Sequence, residues 1–465
     1  MAVAHLDHAV QELQHGLNGH IILPTDAAYD ETRRGFNLGI DQHPASIVVV
    51  ENSGDVVSAV RFARDHHLGV SIQSTGHGIQ YPANDNMLIV TSAMKAVHVD
   101  VSARTARVEA GVRFQELLGQ SVKYGLAPLM GTSPHVGVIG YTLGGGIGWL
   151  SRRYGFAADS VRWLDVVTPD GVLRRASANE NADLFWALRG GGGNFGVVTA
   201  MEFDLYLVET IYGGTLTYPP ESARDALRFF RDWSRELPDE MMASIALMKF
   251  PNIPQLPEAI RGKSQVMVRA AYDGGGEVGQ LFIQRWLDWQ KPLDNTFRQM
   301  PFSEIASIQN DPTDPASSYA SNELFDDLSD TAIDLIVQYA FDKDSPILYS
   351  ELRTGGGALA RGQASTSAVG NRDARFYFLI GGITPNAQVS KVVESYAQRY
   401  KAALKPYHQG GAYLNFMRGE EAATRALDAY GAEGYKRLVA LKAEYDPTNM
   451  FRYSYQIGAP NTLKA

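Results

Sequence analysis

Cysteine is absent from this chain of 465 residues. Its absence excludes disulfide bonds, thiolate metal ligands and a cysteine nucleophile. The sequence also has no run of 18 or more apolar residues, so it predicts no membrane-spanning helix. The first twenty residues lack the basic segment and apolar core of a secretory signal peptide. We therefore expect a cytoplasmic protein without a membrane partner.

Basic residues are outnumbered by acidic ones. The chain has 42 Lys and Arg against 51 Asp and Glu, which gives a formal net charge of -9. This balance, without a Lys/Arg cluster, argues against a nucleic-acid partner. The hydrolase motifs Gly-x-Ser-x-Gly and His-Glu-x-x-His do not occur. His66 and His67 are adjacent and so point apart on a helix, which makes them a poor metal pair. We expect no bound metal.

Glycine, in contrast, is concentrated in residues 131–155, GTSPHVGVIGYTLGGGIGWLSRRYG, which we call the glycine-rich stretch. A glycine loses more backbone entropy on folding than other residues, so such a cluster needs a reason. Close approach of backbone N–H groups to an anion is the usual one. A flexible linker is the alternative, but linkers are polar and this stretch is rich in apolar residues. The glycine-rich stretch lacks the Rossmann spacing, and the second run, which begins at residues 190–193, lacks the Lys-Ser/Thr pair of a P-loop.

The order of predicted elements indicates two domains, as the length also suggests. Leu6, Val10, Leu13 and Leu17 recur at helical spacing and predict a first helix. Residues 46–50 and 70–72 read as strands around a helix capped by Ser53 or Asp55, a β-α-β unit. Beyond about residue 208, alternating strands and amphipathic helices predict an α+β domain with an antiparallel sheet. Residues 295–322 read as irregular, and residues 451–457 as a last strand.

Four motifs carry a resemblance to a known family. They are SIQSTGHG ending at Gly78, the glycine-rich stretch, DLFWALRGGGGNFGVVT from Asp183, and KAEYDPTNMF in the C-terminal tail. Their order resembles that of the FAD-linked oxidases of the vanillyl-alcohol oxidase superfamily, specifically the berberine-bridge-enzyme-like group. The first three motifs cover about residues 43–208. The central region matches the family only by its alternation of strands with amphipathic helices and by the segment 352–358.

The resemblance implies an α+β fold. A two-part FAD-binding domain of the PCMH type would be joined to a central substrate domain whose antiparallel sheet is covered by helices. The implied boundaries are residues 1–42 for an N-terminal helical segment, 43–210 for the FAD-binding domain, 211–405 for the substrate domain and 406–465 for a segment returning to the FAD-binding domain. Substrate would bind in the cleft between the domains.

The family's covalent histidine falls on His77, which implies one bond to the flavin 8α-methyl group. Such a bond retains the cofactor and raises its reduction potential. A hydrogen-bonded loop histidine is the plainer alternative. The other positions that the resemblance assigns to FAD are Gln73, Ser74, Thr75, Gly76, Gly78, Thr132, Ser133, Val136, Gly137, Gly140, Tyr141, Gly144, Gly145, Val198, Tyr413 and Asn415.

Three positions depart from the family pattern or refine it. Ser133 stands where many relatives have a second flavin-linking cysteine, so at most one link is expected. Gln73 stands where arginine is frequent, and we expect it to hydrogen-bond the pyrophosphate without adding charge. Val136 is small, which in similar enzymes leaves oxygen access to the flavin, although simple packing would explain it equally well.

The catalytic base is left open. In the family a tyrosine often follows the Tyr-x-Asn triplet, but here Phe416 follows Tyr413 and Asn415 and cannot accept a proton. His135 has the most useful unperturbed pKa for a base. The catalytic candidates are His135, Tyr141, Tyr413 and Asn415, with Tyr349 and Tyr377 as further tyrosines on predicted strands.

The sequence thus predicts an FAD-dependent oxidase. It would transfer a hydride from a small alcohol, amine or sugar-like polyol to flavin N5 and reduce O2 to H2O2. Two alternatives keep the flavin: a redox-neutral cyclase of natural-product assembly, and a dehydrogenase using an acceptor other than oxygen.

Overall fold

A computed structural model of the chain describes residues 10–254, 256–362, 365–408 and 410–458. The predicted first helix is seen over residues 10–15, while Leu6 lies outside the described residues. No helix within the described ranges is long and apolar enough to cross a membrane.

The N-terminal part forms a four-stranded sheet and a β-α-β unit. Its strands lie in the order His20–Ile22, Ser46–Val49, Met87–Val90 and Val70–Gln73, with the last three parallel. The crossover helix is Ser53–Asp65. Its N-cap is Asn52, whose side chain accepts the Asp55 backbone N–H at 3.0 Å, so the prediction of Ser53 or Asp55 as cap was wrong. The Asp55 carboxylate instead accepts the backbone N–H groups of Asn18 and Gly19, which fastens the N-terminal segment to this helix.

A five-stranded antiparallel sheet follows. Its order is Val97–Asp100, Thr105–Glu109, Val197–Asp204, Val161–Val167 and Leu173–Ser177. A two-stranded ribbon pairs Leu126–Ala127 with Tyr206–Leu207. The helices of this part are Tyr29–Thr32, Phe114–Ser121, Val138–Leu143, Ser151–Tyr154 and Ala182–Leu188, with short 3-10 turns at Val122–Tyr124 and Ala157–Ser160. Two of these helices lie in the glycine-rich stretch, which the glycine content did not indicate.

The central part is built on one large antiparallel sheet. Its strands lie in the order Asp294–Asn295, Thr210–Tyr218, Ser264–Tyr272, Met241–Lys249, Tyr349–Thr354, Phe376–Ile383 and Ser318–Phe325, and Arg298–Pro301 also pairs with Thr210–Tyr218. The region predicted to be irregular therefore contains Arg298–Pro301, the 3-10 helix Phe302–Ile308 and the start of Ser318–Phe325. Met300, Phe302, Ile305 and Ile308 are the buried apolar residues of this region, and the many Asp, Pro and Ser residues around them obscured their pattern.

The two faces of this sheet have different partners. One face packs under the helices Ala223–Ser234, Gly276–Trp289, Asp330–Phe341 and Ala387–Leu404. Side chains alternate along a strand, so Leu352 lies in this helix-side core while Tyr349 packs against the core shared with the N-terminal half. Glu351 and Arg353 share the face of Tyr349. The sheet thus presents charged side chains toward the N-terminal half.

The C-terminal segment packs back on the N-terminal half. It contains Leu414–Phe416, Glu420–Thr424 and the long helix Ala426–Tyr445, which is interrupted at Gly431. The Val70 backbone N–H donates to Met450 O at 2.9 Å, and the Gly193 N–H donates to Ser454 Oγ at 3.2 Å. The predicted strand at residues 451–457 was wrong, since this segment is not in a strand and is held by contacts of this kind. The domain boundaries remain predictions.

Candidate active site

The turn that follows strand Val70–Gln73, residues 74–78, is fixed from one side only. Phe36 and Asn37 donate backbone hydrogen bonds to the carbonyls of Thr75 and Gly76 at 3.1 and 3.4 Å. Gly76 has φ +74°, and a Cβ there would lie 2.3 Å from Gly35 Cα, so only glycine fits. The backbone N–H groups of residues 75–78 donate no hydrogen bond to any described residue. The turn therefore presents a row of free donors.

His77 is held in this turn by two contacts. Its Nδ1 lies 2.8 Å from Thr75 Oγ1, and its ring stacks on Phe36 with centroids 3.8 Å apart. Burial, together with the nearby charges of Arg418 and Arg113, lowers the pKa of His77 to about 4. The imidazole is therefore neutral at neutral pH, which is the nucleophilic form.

The glycine-rich stretch meets this turn. Ser74 Oγ is buried without a hydrogen-bond partner among the described residues, and a Cβ on Gly137 would lie 3.2 Å from it. Gly140 is exposed, and a Cβ there would have no described neighbour within 4 Å. Free amides and a free hydroxyl around open backbone suit a diphosphate, because anions bind where several backbone N–H groups converge. The residues present fit FAD.

Tyr413 and Asn415 lock the glycine-rich stretch from the other side. The Tyr413 hydroxyl oxygen accepts the Gly146 backbone N–H at 2.8 Å and the Asn415 amide at 3.2 Å. Asn415 Nδ2 also donates to Tyr141 O at 2.9 Å. Burial raises the pKa of Tyr413, so its phenol stays protonated and suits positioning better than proton abstraction.

Tyr141 and Phe416 lie beside this lock. The Tyr141 hydroxyl is buried without a hydrogen-bond partner among the described residues, and burial raises its pKa well above the usual value. It is therefore a neutral donor. Phe416 packs edge-on against Tyr413, with ring centroids 4.8 Å apart, and lies beneath Arg353, whose Cζ is 5.3 Å from the ring centroid.

Sequence reasoning missed the charged residues of the central sheet at this place. Arg353 Nη2 donates to Glu351 Oε2 at 2.9 Å, and Arg269 Nη1 lies 3.7 Å from Glu351 Oε1. Burial alone would raise the pKa of Glu351, but Arg353 and Arg269 lower it below its usual value, so the carboxylate is ionised. Strand alternation could have revealed this face, because Tyr349, Glu351 and Arg353 are spaced two residues apart.

Asp311 was missed as well. Thr132 Oγ1, in the glycine-rich stretch, donates to Asp311 Oδ2 at 2.5 Å. Asp311 belongs to the region predicted to be irregular, and nothing in the local sequence indicates its partner. The bond joins the loop after Phe302–Ile308 to the cofactor side of the site.

Several other predicted residues have simpler surroundings. Gln73 donates to the carbonyls of Thr32 and Arg34, and its Oε1 accepts from Gln42, so the structure does not support its expected bond to pyrophosphate. Gly144 and Gly145 contact Asn415 and the Tyr413 ring, and Val198 is buried in the five-stranded sheet. On the glycine-rich stretch, Ser133, His135 and Val136 are half-buried. Tyr377 is buried beside Tyr413, and burial raises its pKa.

Within the described parts of the chain, no group of three or more His, Asp and Glu side chains could hold a metal ion.

Comparison with known proteins gives a consistent result. A family model described as an FAD binding domain matches residues 44–177, and a model described as berberine and berberine like matches residues 412–458. The chain is 29% identical to (R)-6-hydroxynicotine oxidase of Paenarthrobacter nicotinovorans over 95% of this chain and 97% of that protein.

Solved structures of FAD-linked oxidases also match the fold of this chain. A crystal structure of 6-hydroxy-D-nicotine oxidase from Arthrobacter nicotinovorans matches with a TM-score of 0.83 and 26% identity, over 96% of this chain and 98% of that one. A structure of glucooligosaccharide oxidase from Acremonium strictum, described with 6-S-cysteinyl, 8α-N1-histidyl FAD, has a TM-score of 0.83 at 23% identity over 97% of this chain and 99% of that one. The latter shows a shared fold. The FAD binding model covers His77 and the berberine-like model covers Tyr413, and the chain is an FAD-dependent oxidoreductase that combines an FAD binding domain with a berberine-like C-terminal segment.

Proposed function

We propose that this FAD-dependent oxidoreductase is an oxidase that carries its flavin on His77 through a single covalent bond to the 8α carbon. The observation that supports the bond is the protonation, orientation and position of the His77 side chain. Its imidazole is neutral, oriented by Thr75 and Phe36, and set in a turn with free backbone donors. The histidyl flavin described for glucooligosaccharide oxidase is consistent with this assignment.

Ser133 limits the attachment to one bond. Glucooligosaccharide oxidase is described with a cysteinyl link as well, whereas this chain has no cysteine at all. The diphosphate would be held by Ser74 Oγ and by the backbone N–H groups of residues 75–78, with Gly137 and Gly140 giving room. Bound FAD would supply a two-electron acceptor at this place.

The proposed reaction oxidises a small alcohol, amine or sugar-like polyol. The substrate loses two electrons and two protons, and O2 gains both to become H2O2. The names of the relatives support this range, since one is a 6-hydroxynicotine oxidase and another a glucooligosaccharide oxidase. That both are oxidases supports O2 as the acceptor here, and the small side chain of Val136 is compatible with oxygen access.

We propose two groups as candidates for the base that takes the substrate's proton. His135 is half-buried in the glycine-rich stretch and acts electrostatically on His77, so it lies near the site. Glu351 is an ionised carboxylate that pairs with Arg353 and lies beside Arg269 and the buried Ser244 hydroxyl. Tyr141 and Tyr413 are neutral phenols that orient and donate. We retain His135 from the candidates that the sequence left open and add Glu351 as a further candidate.

The covalent bond is tested by acid precipitation of the purified protein. The wild-type pellet should stay yellow, and the His77→Ala pellet should be white, with its flavin in the supernatant. His98→Ala, an exposed histidine on strand Val97–Asp100, is the matched control and should keep the yellow pellet. A white wild-type pellet would show that the cofactor is bound without the link.

The oxidase activity is tested separately. An anaerobic screen of sugars, amines and alcohols identifies substrates by loss of flavin absorbance, and oxygen uptake with peroxide formation is then measured for each. Reduced flavin that is stable in air would indicate a dehydrogenase. Product formation without oxygen uptake or flavin reduction would indicate a redox-neutral cyclase.

A further inference from the structure

Three charged side chains form a buried cluster on the face of the central sheet that is turned toward the N-terminal half. Arg269 and Arg353 lie on the two strands that flank Met241–Lys249, where both are paired with Ser244, and Glu351 is two residues before Arg353. The side chains of Arg269, Glu351 and Arg353 are only 6%, 3% and 12% exposed. We call these three residues the charged cluster.

The charged cluster is not satisfied by its own contacts. Arg269 Nε and Arg353 Nε are each buried without a hydrogen-bond partner among the described residues. The Arg269 guanidinium is 3.7 Å from Glu351 Oε1, which is beyond hydrogen-bond distance. Buried polar groups are rarely left unpaired, because each such group costs free energy. The Ser244 hydroxyl acts on Glu351, so the unused groups that indicate a ligand are the two guanidinium donors, Arg269 Nε and Arg353 Nε.

The charge of the surroundings gives the sign of that ligand. Arg269 and Arg353 contribute two positive charges, and Arg418, which acts electrostatically on both Tyr349 and His77, contributes a third. Glu351 and Asp311 contribute two negative charges, which leaves an excess of one positive charge before the cofactor is counted. Arg418 Nη1 is itself buried without a partner among the described residues. An anionic group would balance this excess, whereas a neutral sugar would leave it uncompensated.

The charged cluster lies at the cofactor site. Arg353 lies over Phe416, which packs on Tyr413, and the Tyr413 hydroxyl accepts from Gly146 in the glycine-rich stretch. Arg353 also acts electrostatically on Tyr141. Asp311 approaches from the loop bonded to Thr132. A group bound here would therefore belong to a molecule placed against the flavin side of the cleft.

We propose that the charged cluster is the binding subsite for a carboxylate on the substrate. Arg353 and Arg269 donate hydrogen bonds to the carboxylate, and Glu351 Oε1 accepts one from a neighbouring hydroxyl or amine of the same molecule. Guanidinium groups suit this task, because their planar forks match the geometry of a carboxylate. The inference rests on the proposed oxidase function and narrows its substrates to small alcohols or amines that carry a carboxylate.

Binding is measured without turnover, by titrating the oxidised holoenzyme with benzoate or benzamide at constant ionic strength. Benzoate should perturb the flavin absorbance at a concentration at least tenfold lower than uncharged benzamide does. Arg353→Gln should weaken benzoate binding at least tenfold, and Arg353→Lys should recover part of the loss. Arg298→Gln, an exposed arginine on the same sheet, should bind benzoate as the wild type does.

Arg353→Gln leaves Glu351 buried with one cation fewer, so the variant could fail to fold. The double variant Glu351→Gln/Arg353→Gln removes both charges of that pair and should fold while binding benzoate as poorly as benzamide. Equal binding of benzoate and benzamide by the wild type would overturn the proposal. Unchanged benzoate binding in every folded variant at position 353 would overturn it as well. If such a variant also shows a changed affinity of the flavin for sulfite, Arg353 acts on the cofactor and not on the substrate.

Substrate choice provides the second measurement. Hydroxy acids and N-alkyl amino acids are compared with their methyl esters by anaerobic flavin reduction, and each acid should reduce the flavin at least tenfold faster at low concentration. Faster reduction by the esters would contradict the carboxylate subsite. A failure of the oxidase proposal looks different, because oxygen uptake would be missing while the benzoate titration would still report the subsite.

Discussion

The imidazole of His77 lies flat against the phenyl ring of Phe36, with ring centroids 3.8 Å apart and planes only 12° apart. Thr75 Oγ1 approaches Nδ1 of the same ring at 2.8 Å. Which of these two atoms donates the hydrogen bond depends on the tautomer of the ring. A stacked face and a hydrogen-bonded edge together fix the ring, so the two neighbours of His77 are positioning residues for flavin attachment.

Phe36→Leu and Thr75→Val should each lower the fraction of flavin that stays bound to denatured protein, because the histidine ring then samples other rotamers. In-gel flavin fluorescence measures this fraction. Phe62→Leu is the matched control, since Phe62 packs against His66 with centroids 4.3 Å apart but lies on the crossover helix. An undiminished covalent fraction in both Phe36→Leu and Thr75→Val would show that the ring needs no such support.

The low pKa of His77 has a consequence for stability in apoprotein produced without flavin. Its pKa falls from 6.5 to about 4 on folding because the ring is buried. Above pH 6.5 neither the folded nor the unfolded state binds the proton, so the ring adds no pH dependence there. Between pH 6.5 and 4 the unfolded chain takes up the proton first, so the free energy of unfolding should drop, by at most about 3 kcal/mol.

Urea unfolding of apoprotein at pH 7 and pH 4.5 measures this drop. His77→Phe should lose less stability on acidification than the wild type, because it removes the titrating ring. His98→Phe, on an exposed strand, should behave like the wild type. Equal losses in wild type and His77→Phe would place the acid sensitivity elsewhere.

The cofactor side of the site could be predicted from the sequence because its signals are local. His77 and the glycines of residues 131–155 lie in short motifs, where a tight turn or a close approach imposes its own residue type. The family resemblance then supplied what the motifs bind. The structure corrects Gln73, whose amide bonds the carbonyls of Thr32 and Arg34, a pairing that no local pattern predicts.

The substrate side could not be predicted, because its residues meet only through the register of distant strands. Arg269 and Arg353 are 84 positions apart in the chain and are brought together by Met241–Lys249, which pairs with both of their strands. Asp311 reaches Thr132 across 179 positions. Such partners depend on tertiary packing, which a period-2 pattern does not specify.

Substitution by alanine should destabilise the protein at Gly144 and have little effect on stability at Gly140. A Cβ on Gly144 would lie 1.8 Å from Asn415 Oδ1, so Gly144→Ala must displace the amide that bonds Tyr141 and Tyr413. We expect a loss of about 2–4 kcal/mol in the free energy of unfolding. Gly140→Ala meets no described atom within 4 Å and should change stability by less than about 1 kcal/mol.

Thermal unfolding of the two variants tests the steric difference, and FAD content tests the cradle. If Gly140 faces the cofactor, Gly140→Ala should keep its melting temperature but retain less FAD after dialysis of a His77→Ala background, in which no covalent bond holds the flavin. Equal destabilisation of both variants would contradict the lock between Asn415 and the glycine-rich stretch.

Val136 is the position at which oxygen reactivity should be adjustable. Its backbone carbonyl accepts the Phe114 N–H at 3.1 Å, which fixes the main chain, while its side chain is only half-buried. Val136→Leu should therefore enlarge the side chain without moving the backbone. Reduction with dithionite followed by rapid mixing with oxygenated buffer measures reoxidation without a substrate. We expect the rate constant to fall at least tenfold in Val136→Leu and to be kept or raised in Val136→Ala. Unchanged reoxidation in Val136→Leu would mean that this side chain serves packing and that oxygen reaches the flavin by another route.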